Sequence, residues 1–451
     1  MSTDLTNGPV APHLRRQAIP MGLGLVAIIS FDAVDLFFVS QLGDVQLAAI
    51  SFTFPVIWLL SSIIIGFEAG AASCISRAVG HNDIRRARRQ TTDTAALAGL
   101  VSLVFCLAGL TLIDPMFRML GATDDVMPYI HEYMGIWYYS APMSAITWTC
   151  LSAIRARGNT LLEGKIITLA AVINAILDPI FIFGLFGFPR LEIAGAALAT
   201  VTATFLVMVG TLLYLHFSLR VFATPFTALV NIWRSWREML YIGLPAMMTN
   251  AIVPIGNGIA VAMIAGYGVD AVAGFGVGIR IEPLALIAFY ALSAVTSPFM
   301  GQNYAAGKFG RIEEARRAIG RFCVLYGLTI ATVVAFAAVP LTGYFSETEE
   351  IQSTAYQYLW IMAISYGGYG MVMAMCSAFN GVGFPMPGLV ISTSRALLLF
   401  LPLALLGQYW IGINGIFIAS AACNLLLGVI AFLWFGRHVK LHPKGGDPVT
   451  D

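Results

Sequence analysis

Gly22-Leu-Gly-Leu-Val-Ala-Ile-Ile-Ser-Phe-Asp-Ala-Val-Asp35-Leu-Phe-Phe-Val-Ser-Gln-Leu42 is an apolar run long enough to span a bilayer, and it carries Asp35. A second run of the same character, Ile166–Phe188, carries Asp178. An ionised Asp at the centre of a membrane helix costs roughly 2.5–3.5 kcal/mol. Such acids persist mainly where they face a bundle interior and hold an ion, a proton or a substrate. The two runs therefore imply a polytopic membrane protein with a translocation function.

Composition agrees. The chain is 58% hydrophobic and 11% charged, against about 25% charged in soluble domains, and its mean hydropathy is +0.81. Twelve apolar runs of spanning length follow one another, which predicts an all-α membrane protein with twelve transmembrane helices. The first run is too long, and too polar at its far end, for a cleaved leader. All six cysteines fall inside apolar runs without CxxC spacing, so they are expected to pack as small apolar residues with no disulfide or structural metal.

Charge is distributed by loop. Arg15, Arg16, Arg85, Arg86, Arg88 and Arg89 precede helix 1 or follow helix 2, while Arg155, Arg157, Arg311, Arg316 and Arg317 continue the pattern. On the other side Asp114, Asp124, Asp125, Glu347, Glu349 and Glu350 gather, with only Arg118 and Arg190 among them. The positive-inside rule places both termini in the cytoplasm of a multi-pass protein of the inner (plasma) membrane.

An internal repeat appears at an offset of about 225 residues. Leu42-Gly-Asp-Val-Gln-Leu-Ala-Ala parallels Tyr267-Gly-Val-Asp-Ala-Val-Ala-Gly, Gly80 parallels Gly307, and Gly158 parallels Gly383. Each half holds six spans, so the two repeats enter the membrane in the same direction. The expected division is an N-terminal lobe (1–216), a cytoplasmic linker lying on the membrane (217–236), a C-terminal lobe (237–437) and a tail (438–451). The linker rests on the basic and aromatic residues Arg220, Trp233, Arg234 and Trp236.

The acids break the repeat. The counterpart of Asp35 is Ala260, and that of Asp178 lies in the apolar stretch Leu397–Leu403. A coupling site thus belongs to the first lobe. Asn174, four residues before Asp178, shares its helix face. Thr200 in helix 6 reaches a similar depth, roughly 9–14 Å from the outer surface at ~1.5 Å per residue. Pro179 frees the carbonyl of Ala175. This oxygen-rich set suits Na⁺, and it suits a proton equally, since burial and a neighbouring charge favour a protonated carboxyl. A lone Asn or Thr is commonly interhelical glue, but two acids at one depth are not. Asp32, one turn before Asp35, either shares the site or pairs locally. Glu68 is expected in a salt bridge or a gate contact, Arg280 and Glu282 in structural pairs, and Arg395, with no evident partner, is a candidate to line the cavity. Pro20, with Gly22 and Gly24, reads either as a helix start or as a hinge.

Asp35-Leu-Phe-Phe-Val-Ser-Gln-Leu-Gly, Arg155-Ala-Arg-Gly-Asn-Thr, Asn174-Ala-Ile-Leu-Asp-Pro and Gly195-Ala-Ala-Leu-Ala-Thr, in this order, resemble the multidrug and toxic compound extrusion family. The resemblance implies two six-helix lobes around a V-shaped cavity and export of cationic or amphipathic drugs by H⁺ or Na⁺ antiport. One branch of the family carries acids in helices 7 and 10, which this chain lacks. The chain is more similar to the prokaryotic DNA-damage-inducible (DinF-like) branch, which implies a first-lobe site of Asp35, Asn174, Asp178 and Thr200, with Tyr133 and Pro20 in support. A proton-coupled monomer without a cofactor, in contact with drugs and lipid but not nucleic acid, is the expectation. A flippase for a lipid-linked anion is the alternative, and it would need a strongly cationic cavity. No nucleophile–base pair or metal motif points to an enzyme.

Overall fold

The computed structural model describes residues 4–223 and 229–441, and every regular element among them is helical. In chain order these are α1 (Val10–Ser40), α2 (Asp44–Gly80), α3 (Ile84–Thr111), α4 (Ile113–Met119), α5 (Met127–Trp137), α6 (Ser140–Ala156), α7 (Thr160–Phe183) and α8 (Glu192–Leu213). There follow α9 (Leu229–Ile264), α10 (Val269–Ala305), α11 (Phe309–Phe345), α12 (Glu349–Gly381), α13 (Pro385–Thr393), α14 (Phe400–Ile411) and α15 (Ile413–Leu441).

Eleven of the described segments are long and apolar enough to cross a membrane. The twelfth expected span is divided into α5 and α6 around Tyr138–Tyr139. Its fully buried Tyr138 ring lies against Gly109 of α3, where any Cβ would come within 2.4 Å of the ring. A π turn at Ser394–Leu398 separates α13 from α14 inside the eleventh span.

The repeat survives in the backbone. Gly43 (φ +136°) and Gly268 (φ +111°) precede α2 and α10, and Gly158 (φ +80°) and Gly383 (φ +90°) precede α7 and α13. Only glycine adopts such angles without strain. Gly307 (φ +68°) corresponds at the same offset to Asn82 (φ +58°), not to Gly80. Asn is the side chain that best tolerates this conformation, so the repeat pairs Gly307 with Asn82 and the expected match to Gly80 is two residues off.

By packing, the chain divides into two compact units. One is Ile19–Met247, and the other joins Asp4–Ala18 to the chain from Met248 onward. The first unit takes in the end of the expected linker because Leu229–Trp236 is the start of α9, not a separate surface segment. Glu238 holds that start by accepting from Arg86 and Gln90, both at 2.9 Å, and Trp236 Nε1 donates to the Asp93 carbonyl. Gly70 of α2 admits the backbone of Met239 so closely that a Cβ would meet its carbonyl at 2.7 Å. Residues 224–228 of the linker and 442–451 of the tail lie outside the described residues.

In the second unit α12 packs against α10, α11 and α15. Facing glycines set the spacing: a Cβ on Gly428 of α15 would meet the Gly368 carbonyl at 2.6 Å. Close backbone approach through small residues is the membrane route to tight packing. The segment before α1 is fastened to this unit. Leu5 is fully buried, its N–H donates to Gln302, and Arg311 and Lys308 donate to the carbonyls of Leu5, Thr6 and Gly8.

Candidate functional site

Asp35 stands five residues before Ser40, the end of α1, and Asp178 five before Phe183, the end of α7. The two depths match more closely than the sequence implied, because α7 stops at Phe183 and not at Phe188. Gly184 (φ +74°) ends it in the left-handed conformation. At its other end, the Asn159 side chain caps α7 by accepting from the Leu162 N–H at 3.2 Å.

The structure brings Asp35, Asn174, Asp178, Thr200 and Tyr133 together. Asp178 is fully buried and Asn174 nearly so. The amide of Asn174 is satisfied in one orientation only, an assignment made from its surroundings. Its nitrogen then donates to Asp178 Oδ2 at 3.0 Å, and its oxygen accepts from the Thr200 N–H at 3.1 Å. The Thr200 hydroxyl also donates to the Ala196 carbonyl at 3.2 Å, one turn back in α8. Asn174 thus ties the acid of α7 to the backbone of α8.

Asp35 is half-buried, and its Oδ1 is enclosed without a hydrogen-bond partner. It lies near enough for its charge to act on Asp178, and Tyr133 lies within electrostatic reach of both acids. Tyr133 belongs to an apolar cluster that also contains Val39, Ile130, Ile182, Ile193, Ala196 and Ala197. Residues from α1, α5, α7 and α8 therefore wall the acids with hydrocarbon. Two carboxyl groups in such a setting cannot both remain ionised and bare without a large penalty.

Asp32 is exposed, makes no hydrogen bond or ion pair among the described residues, and acts on Asp35 through charge alone. Pro20 lies inside α1, ten residues after its start at Val10. The helix-start reading of Pro20 therefore falls, since α1 runs through it. Glu68 does form its expected salt bridge, to Arg155.

One feature escaped the sequence. Glu163 is fully buried and pairs with the same Arg155 at 3.2 Å. In sequence it is a first-turn acid of α7, an ordinary complement to the helix dipole. Glu282, expected in a structural pair, accepts from the Tyr358 hydroxyl at 2.8 Å in the second unit. Among the described residues no three His, Cys, Asp or Glu side chains are grouped to share a metal ion.

Comparison with known proteins agrees with this architecture. The MatE family model matches residues 20–180 and 245–406. The FAD transporter of Shewanella oneidensis is 35% identical over 428 residues, 95% of each chain. The probable multidrug resistance protein YoeA of Bacillus subtilis is 25% identical over 88% of each. Among solved structures, that of the Vibrio cholerae MATE transporter VcmN in its bent form superimposes with a TM-score of 0.91 at 30% identity, over 96% of this chain and 98% of that one. The duplicated glycine-marked frame and these matches have one meaning: the chain belongs to the MATE family and is a multi-pass secondary transporter, not an enzyme.

Proposed function

We propose that this transporter exports cationic or amphipathic drug-like molecules by proton antiport, with Asp35 and Asp178 as the coupling pair. The observation that carries the reading is the enclosed, unpartnered Oδ1 of Asp35 beside a fully buried Asp178. An unsatisfied buried acceptor costs about 1–3 kcal/mol, and a proton taken up on Asp35 removes the charge that makes it costly.

In the cycle, the acids take protons from the outer side, α1 bends near Pro20, and the first-lobe pocket contracts on its cargo. A potential of about 100 mV contributes about 2.3 kcal/mol per charge moved. The protein acts as a monomer in the inner membrane with both termini cytoplasmic, within the DNA-damage-inducible branch. The acids of the first lobe and the arginine-rich segments at the α2–α3 and α6–α7 ends support this placement.

A second reading has its own support. The Shewanella oneidensis relative is an FAD transporter, so flavin nucleotides join drugs as candidate cargo. Cells expressing the protein, loaded in turn with a cationic dye and with FAD, separate the two by which is exported. Abolition of that export by Asp35→Asn supports the coupling site, and its retention rejects it.

A further inference from the structure

The first two turns of α3 carry Arg85, Arg86, Arg88 and Arg89, and their counter-ions are unevenly shared. Arg86 donates to Glu238 at 2.9 Å, and Arg89 pairs with Asp93. Arg85 and Arg88 are exposed, three residues apart on one side of the helix, and among the described residues no carboxylate pairs with either. Arg157, the residue that follows α6, joins them. Ala87 of α3 and Ala153 and Ala156 of α6 share one buried apolar cluster, and such small side chains let the two helices close up. Arg88 and Arg157 each follow one of these alanines and lie within electrostatic reach of one another. Arg157 is half-buried, and its Nη2 is enclosed without a hydrogen-bond partner. Burial, and then the Arg88 charge, lower its pKa to about 10. Two like charges, one of them partly desolvated, are costly to hold together unless an anion joins them.

The surroundings put this pair at the membrane boundary. Thr92, one turn after Arg88 on the same side of α3, accepts from the Ala223 N–H at 2.9 Å. That bond holds the chain that leaves α8 beside the two arginines. The chain leaves α8 through the π turn Tyr214–Ser218, where Tyr214 and Phe217 are 42% and 69% exposed. Exposed aromatic rings at the end of a membrane helix sit at the level of the lipid headgroups. Two guanidinium groups there match the oxygens of a phosphate through charge-assisted hydrogen bonds. Basic pockets between membrane helices take anionic headgroups in this way.

We infer that Arg157 and Arg88, with Arg85 at the rim, bind the phosphate of an anionic phospholipid where α3 begins and α6 ends. The site lies at the start of α7, whereas Asp178 lies near the other end of that helix, so it is distinct from the Asp35–Asp178 pair. It goes beyond the coupling reading. The test uses neither a gradient nor cargo, so its failure leaves that reading untouched.

The experiment titrates the purified, delipidated full-length protein in detergent with dioctanoyl phosphatidylglycerol and with dioctanoyl phosphatidylcholine, counting bound lipid by native mass spectrometry. The wild type binds phosphatidylglycerol about tenfold more tightly, since no choline offsets its phosphate. Arg157→Gln removes that preference and leaves phosphatidylcholine affinity unchanged. Arg190→Gln, which neutralises an exposed arginine paired with Glu192, keeps it. Equal affinities in the wild type, an unaltered preference in Arg157→Gln, or the same loss in Arg190→Gln overturns the proposal. Displacement of phosphatidylglycerol by inorganic phosphate at equal concentration would reveal a site for free phosphate and overturn the lipid assignment. Should Arg157→Gln fail to fold, Arg88→Gln alters an exposed position of the same pair. A selective loss of about fivefold for phosphatidylglycerol is then expected, and no loss overturns the proposal.

Discussion

Gly164 of α7 lies against the carbonyl of Pro20 in α1: a Cβ at position 164 would come within 2.6 Å of that oxygen. The helices that carry Asp178 and Asp35 therefore touch where α1 contains its proline. Gly24, one turn on, faces the same glycine, its Cβ position 3.4 Å from the Gly164 Cα. Gly164→Ala is expected to push α1 and α7 apart and to cost about 1–3 kcal/mol by overpacking. Thermal unfolding in detergent measures the cost and dye efflux the loss of transport. Wild-type values in both would show that the contact is slack.

Asn174 touches Asp178 and the Thr200 N–H, whereas the Thr200 hydroxyl already has the Ala196 carbonyl. Asn174→Ala should therefore cost about 1–3 kcal/mol and impair transport strongly, while Thr200→Val should do markedly less. Equal effects of the two substitutions in an efflux assay would contradict the bridging arrangement.

Arg155 is 5% exposed and sits between Glu68 and Glu163, the latter fully buried. Removing the cation strands two carboxylates. Arg155→Ala is expected to cost about 3–5 kcal/mol, and adding Glu163→Gln should restore part of it. A double-mutant cycle on thermal stability reads the coupling, and additive effects would mean the three groups act separately.

Lys308 and Arg311 hold the backbone of Leu5, Thr6 and Gly8 against the end of α10. Deleting residues 1–8 should speed amide exchange across 302–311, read by mass spectrometry. Unchanged exchange would show that the segment before α1 contributes nothing there. This prediction concerns stability only and is independent of the coupling site.

Much of the fold was legible because lipid leaves few options. Apolar runs must be helices there, and glycines such as Gly158 and Gly383 mark the same turn in both halves. Asp35 and Asp178 stood out because a charge in such a run needs a reason. The break at Tyr138–Tyr139 did not, since the ring at the break packs on Gly109, a residue distant in sequence. Glu163 hid for a related reason. A first-turn acid is ordinary in any helix, and only the buried Arg155 across from it gives it meaning. The end of α7 at Gly184 was missed because the apolar residues continue past it to Phe188.

Drug efflux in sodium-free buffer across a pH series, with wild type, Asp35→Asn and Asp178→Asn at matched expression, tests the central claim most directly. Export by the wild type without sodium, with a clear pH dependence that both variants lose, is the expected result. Full and still pH-dependent export by Asp35→Asn would contradict the account.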